Sequence, residues 1–360
     1  MPDKITVAPC PATARLSVTV FSTLVAGKVR LKKSMKKLFS LFLAGFVMLS
    51  FCACGSGKTG TETTTENEST LPMNRQTEIE IPQATDPQGT PSQGKIITGK
   101  PSSNTKTGFA PLEKVSYTVL DPENSRKLSV KKIGHSHGPA SGGKAHPTVI
   151  EFQKTFDKYG ALTLDENSSE KVLYLTFDCG WEYENLTSKI LDVLKEKDVP
   201  AAFFCTLDHI KKQPELIARM IKEGHIVGNH STTHPSFASI SRTKMKDEIE
   251  QTENYLRENF GYCAKFFRFP AGEYNESALD LVASLGYTGV FWSVAYNDWN
   301  VKQVKGKDYA VKTVGERLHP GAVILLHSVS KDNAAALGEI IDNARSKGYV
   351  FKALTDCKVG

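Results

Sequence analysis

Cysteine is scarce in this 360-residue sequence, no apolar run reaches membrane-spanning length, and neither sign of charge dominates. Setting aside Cys10, Cys52 and Cys54 near the N-terminus, the remaining cysteines are Cys179, Cys205, Cys263 and Cys357. They are too widely spread to make a disulfide framework, although one pairing stays open. The apolar run at 38–51 falls short of the roughly 20 residues a spanning helix requires. The formal net charge of +6 is small, and much of the basic excess sits at 28–37, so charge gives no ground for a nucleic-acid partner. With 40% hydrophobic and 23% charged residues, the chain has ordinary globular composition and length for one large domain with appendages.

What is present begins at Met35, where Lys36 and Lys37 precede the apolar run and the small-residue cluster Cys52-Ala53-Cys54-Gly55. That is a secretory signal layout. Ala53-Cys54-Gly55 resembles a bacterial lipoprotein cleavage site, with Cys54 the lipidated residue, so the expectation is an extracytoplasmic protein anchored to the membrane. Phe51 stands where such sites usually have Leu, and an ordinary signal peptide or uncleaved anchor are the alternatives. Residues 1–34 carry no fold signal, and Met35 reads as the true start. From 55 to 103 the chain is rich in Thr, Ser, Gly, Gln and Pro, a composition that buries too little apolar area to offset ordering entropy and reads as a disordered tether.

Residues 104–170 read as transitional, with a helix at 150–159. His135, His137 and His146 lie there among Gly, Ser and Pro, and read as a polar loop rather than a metal site because no flanking element fixes them. From 171 the pattern becomes regular. Strands are expected at 172–177, 201–206, 225–228, 265–267, 289–293, 322–326 and 349–352. They alternate with helices at 186–197, 214–223, 243–260, 276–285, 309–318 and 333–347, with Gly224 and Gly286 closing two of them. Such alternation predicts an α/β fold with a mostly parallel sheet, whose C-terminal strand ends carry the chemistry.

Three motifs fall at those ends: Thr176-Phe177-Asp178-Cys179-Gly180, His230-Ser231-Thr232-Thr233-His234-Pro235 and Leu325-Leu326-His327. A carboxylate, two imidazoles at i,i+4 and a separate histidine supply a base, metal ligands and an acid. Each is weak alone, since Asp-x-Gly is usually a turn and a histidine after an apolar run usually a core residue. Their order and shared placement give the combination its weight. Cys205 and Cys263 read as small hydrophobes in strands, His209 and His225 as structural, and Phe203, Phe204, Phe266, Phe267 and Phe291 as core.

On these motifs, with Phe291-Trp292-Ser293, Asp298-Trp299 and Leu326-His327-Ser328, the chain from about 171 to 354 resembles the NodB-homology polysaccharide deacetylases, carbohydrate esterase family four. The branch it looks most like is that of the delta-lactam-forming peptidoglycan N-acetylmuramic acid de-N-acetylases. The resemblance implies a distorted (β/α) barrel with fewer than eight strands as the catalytic domain, 171–360. It also implies a metal-assisted hydrolase that releases acetyl from peptidoglycan amino sugars, acting as a monomer in wall or spore-cortex metabolism. By the same resemblance Asp178 is the base, His327 the acid, Arg268 the residue orienting the base, and Asp298 the one holding the acid. His230 and His234 would bind a divalent metal, zinc first among them. Trp299, Pro270 and Gly272 would meet substrate, Trp299 lining a pocket for the acetyl methyl. Asn229 and Tyr296 are further candidates for polar contacts with the glycan. At Cys179 most of the family has a second, metal-binding aspartate; a thiolate there would complete a three-ligand site with His230 and His234. Two other readings stand beside this one: a deacetylase of another cell-surface glycan, such as an N-acetylglucosamine polymer or acetylated xylan, and a non-catalytic wall-binding lipoprotein.

Overall fold

The computed structural model describes residues 108–168 and 170–357. The signal-like stretch with Cys54 and the linker at 55–103 lie outside the described residues. Among the described residues no helix is long and apolar enough to cross a membrane.

Seven strands form one parallel sheet. It is built from β2 (Val172–Cys179), β3 (Ala201–Cys205), β4 (Ile226–Asn229), β5 (Phe266–Phe267), β7 (Thr288–Gly289), β8 (Ala322–His327) and β9 (Val350–Phe351). The order is β7-β5-β4-β3-β2-β8, with β9 also pairing with β2. β2 sits at the centre because all its residues but Asp178 are buried, the near-continuous apolar run that two covered faces demand. The gap between β7 and β8 is closed by single bridges, Leu162 to Val290 and Val294 to Ile324, so the sheet curls into a barrel of fewer than eight strands.

Helices α2 (Leu186–Lys197), α4 (Pro214–Lys222), α5 (Arg242–Phe260), α6 (Glu276–Ser284), α7 (Lys307–Arg317) and α8 (Lys331–Ser346) follow the expected pattern. Their stops are local: α5 ends on Gly261 at φ 56, in the left-handed region that glycine tolerates, and α8 starts on Ser330, whose side chain accepts from the Asn333 N–H. Some elements depart from the sequence pattern. A short helix, α3 (Leu207–Lys212), follows β3 directly, capped by Thr206. The strand expected at 289–293 is instead β7 followed by isolated bridges.

The described part of 104–170 packs onto the barrel. β1 (Ile133–Gly134) pairs antiparallel with β6 (Glu273–Tyr274), and α1 (Pro147–Asp157) buries Phe156, which stacks on Phe291 at 4.3 Å. Leu112 N–H donates to Arg257 O, and Asn254 bonds both the N–H and the C=O of Val115. His135 and His137 donate from Nε2 to the Trp292 and Ala295 carbonyls, Trp292 Nε1 donates to His137 Nδ1, and His146 caps α1 by accepting from Thr148 N. These three histidines hold the wrap in place.

Strand alternation splits the sheet into two buried faces. Val172, Tyr174, Ala202 and Phe204 cluster on one, and Leu173, Leu175, Phe177, Cys179, Phe203 and Cys205 belong to the larger core on the other. Gly228 is required on the first, because a Cβ there would stand 2.4 Å from Phe204 Cδ1.

Candidate active site

The parallel register brings the C-terminal ends of β2, β8, β4 and β5 together. Asp178 and His327 are direct register partners on β2 and β8, and Arg268, just past β5, donates its N–H to Asn229 O at the end of β4. Arg268 is fully buried and reaches back to β2: its Nη1 lies 2.8 Å from Asp178 Oδ1 and 2.9 Å from Thr176 Oγ1. Its Nε and Nη2 donate to the Val290 and Phe291 carbonyls, and its guanidinium carbon lies 4.1 Å from the centre of the Phe204 ring. Burial works against charging Asp178, but Arg268, His230 and His327 outweigh it and hold the carboxyl below the ordinary carboxylate value.

His327 faces that carboxylate with the opposite bias. Its Nδ1 donates to Asp298 Oδ1 at 2.7 Å, while its backbone N–H donates to Asp298 Oδ2 at 2.8 Å. Burial disfavours the imidazolium, but Asp298 more than compensates and raises the ring above the ordinary histidine value. Asn333, which lies outside the motifs above, steadies the pair: its Nδ2 donates to Asp298 Oδ2 and to His327 O, and its Oδ1 accepts from Tyr296.

His230 and His234 lie on the loop after β4, their ring centroids 4.8 Å apart and nearly perpendicular at 79°. The loop is tightly turned, with Ser231 and His234 at positive φ. Its geometry is set by the buried Glu248 of α5, whose carboxylate accepts from Thr232 N, Thr233 N and Thr233 Oγ1. No motif flagged Glu248, because its role depends on a helix crossing the loop from 14 residues or more down the chain. Arg268 O accepts from His230 Nδ1 at 2.8 Å, which leaves His230 Nε2 unprotonated, 3.6 Å from Asp178 Oδ2. Burial pushes His230 down to about 4 and lowers His234 as well, so both rings are neutral donors near neutrality.

Of the expected site residues, Asp178, Arg268, His230, His234, His327 and Asp298 come together. Cys179 does not join the two histidines. Asp178 and Cys179 are consecutive in a strand and point to opposite faces; among the described residues Cys179 groups with Cys205 and His209. Pro270 and Gly272 are buried, and a Cβ on Gly272 would meet Trp292 at 2.7 Å, so both are packing positions rather than exposed contacts. Asn229 and Tyr296, also considered for glycan contacts, spend their polar atoms internally on Ile249 O, Ser231 N and Asn333. Trp299 is 60% exposed beside Asp298, and Trp181, past the end of β2, is 47% exposed.

The polysaccharide deacetylase family profile matches residues 165–290. Peptidoglycan-N-acetylmuramic acid deacetylase PdaA of Bacillus subtilis is 41% identical over 222 residues, covering 61% of this chain and 81% of that protein. The chain belongs to the polysaccharide deacetylases. A peptidoglycan-N-acetylglucosamine deacetylase of Bacillus cereus is 36% identical over 184 residues, 50% of this chain and 66% of that one. The solved structure of Bacillus subtilis PdaA, a family 4 carbohydrate esterase, aligns with a TM-score of 0.60 and 38% identity, covering 64% of this chain and 98% of that one. This polysaccharide deacetylase is a hydrolase of carbon–nitrogen bonds, from a family that is generally metal-dependent. The donor set fits a metal: two neutral imidazoles on one loop beside an ionised carboxylate.

The opposed biases of Asp178 and His327 predict a bell-shaped pH profile. With Asp178 as the base and His327 as the acid, turnover would need Asp178 ionised and His327 protonated. The acid limb therefore lies below the usual carboxylate range and the alkaline limb above the ordinary histidine value. Asp298→Asn removes the charge that raises His327, so the alkaline limb in kcat/KM should move to lower pH while the acid limb stays. An unmoved alkaline limb would assign it to another group.

Proposed function

We propose that this polysaccharide deacetylase acts outside the cytoplasmic membrane on peptidoglycan, removing acetyl from N-acetylmuramic acid in the delta-lactam pathway. The observation that carries the hydrolytic part is the register pairing of Asp178 with His327, each held in the protonation state its task requires. Asp178 accepts a proton from the water that adds to the acetamide carbonyl. Protonated His327, with Nε2 turned away from Asp298, donates to the leaving nitrogen, and acetate and a free amine result. His230 and His234 would hold a divalent metal, zinc in our reading, which when bound supplies Lewis acidity toward the carbonyl oxygen and lowers the pKa of water. Arg268 keeps Asp178 ionised and aimed. Trp181, three residues past Asp178, and Trp299, next to Asp298 in sequence, are exposed aromatics suited to stacking on a sugar ring.

The choice of muramic acid rests on the 41% identity to PdaA and on the Asp178-Cys179-Gly180-Trp181 and Leu326-His327-Ser328 motifs. Export rests on the signal-like sequence ending at Cys54. The test is acetate release by the purified full chain from peptidoglycan with and without peptide stems, before and after chelation, and after zinc is restored. Release that chelator stops, zinc restores and stem removal enhances is the expected result. Equal or greater release from chitooligosaccharides would replace muramic acid with glucosamine, and release indifferent to chelation would remove the metal from the scheme.

A further inference from the structure

We infer that Cys179, Cys205 and His209 form a second metal site, separate from the His230–His234 pair, which takes a thiophilic d10 cation of the zinc class. Cys179 and Cys205 are register partners on β2 and β3, and both side chains face the helices rather than the barrel interior. α3 starts directly behind β3. Thr206 Oγ1 accepts from His209 N at 3.3 Å, fixing the first turn so that the imidazole returns over the two sulfurs. The two Sγ atoms and a ring nitrogen of His209 all lie within 4.8 Å of one another. Tetrahedral donors at about 2.0–2.3 Å from a metal stand roughly 3.3–3.8 Å apart, so modest side-chain shifts close the site.

The second, independent observation is His209 itself. The residue is only 1% exposed, yet among the described residues neither ring nitrogen has a hydrogen-bond partner. Buried imidazoles normally satisfy at least one nitrogen, as His225 does on Ala201 N–H and His319 on Ser293 Oγ. Burial keeps the ring neutral, its pKa pushed down to about 4, which leaves a lone pair for coordination. A disulfide between the free thiols of Cys179 and Cys205 would leave that lone pair unused; a cation uses it together with both sulfurs. Two thiolates and one imidazole form a soft set that favours Zn2+ or Cu+ over hard cations. Each sulfur gives up its proton to solvent on ligation, so a bound dication leaves the buried cluster without net charge. The consequence for the fold is mechanical: the ends of β2 and β3 and the start of α3 would be bolted together one residue past Asp178.

Cobalt(II) is the probe, because a thiolate-to-cobalt charge-transfer band in the near ultraviolet reports sulfur ligation, which His230 and His234 cannot produce. The full chain, stripped of metal and kept under reductant, is titrated with Co2+ and then Zn2+. One equivalent is expected to raise the band and Zn2+ to abolish it. Cys205→Ser should remove the band. His209→Leu, which replaces an unpartnered ring with an apolar side chain of fitting size and should fold, should weaken Co2+ binding at this band at least tenfold. His234→Ala should leave it intact. Absence of the band in the unaltered chain overturns the proposal, as does a band that survives both Cys205→Ser and His209→Leu. A band lost in His234→Ala but retained in Cys205→Ser would put Cys179 with the histidine pair instead.

Discussion

Turnover is expected to fall by about 10²- to 10⁴-fold in Asp178→Asn, with the chain still folding cooperatively. The asparagine keeps the shape and can still accept from Arg268, but it has no charge with which to take a proton from water. Loss of stability should be modest, because Arg268 retains Thr176 Oγ1, the Val290 and Phe291 carbonyls and the face of Phe204 as partners. Initial rates of acetate release and a denaturant unfolding curve on the same preparation separate the two effects. A variant that retains more than a tenth of the activity would take the base role away from Asp178.

Arg268→Met should produce the largest stability loss, about 3–5 kcal/mol, because it leaves a buried carboxylate without its counter-charge. The asymmetry with Asp178→Asn is physical. Arg268 has four kinds of partner, whereas among the described residues the Asp178 carboxylate is ion-paired with Arg268 at 2.8 Å and with His230 at 3.6 Å. Arg268 also lowers the Asp178 pKa, so its removal raises that value and the acid limb of the pH profile should move to higher pH. The double variant Arg268→Met/Asp178→Asn should be more stable than Arg268→Met alone, since no unpaired carboxylate remains. Calorimetric or denaturant midpoints check the order of stabilities; a double variant less stable than both singles would show that Arg268 acts through packing alone.

Much of this architecture was legible in the sequence because its elements are locally specified. The 172–177 run is apolar but for the buried Thr176, as a strand covered on both faces should nearly be, and α2 came out with the same bounds as its amphipathic pattern. The wrap formed by the described residues before 168 was not legible. Its contacts, such as Val115 with Asn254 and Arg126 with Asp280, join residues more than a hundred positions apart and leave no periodicity behind. The short strand β7, two residues long, was blurred into a longer run because the apolar residues Val290, Phe291 and Trp292 continue past the ladder.

The site divides along the same line. Sequence alone determined that a carboxylate, a histidine pair and a further histidine stand at strand ends of a parallel α/β fold, since composition and period dictate strands and motif order dictates their ends. Only the tertiary structure decided who meets whom. Register made Asp178 the neighbour of His327, a crossing of 90 residues brought Arg268 to Asp178, and α5 delivered Glu248 to the histidine loop. The two-residue alternation of β2 turned Cys179 away from the histidine pair toward Cys205 and His209. Motif spacing names the residues at a strand end, but which face each side chain takes, and which distant charge it meets there, is set by pleat, register and packing together.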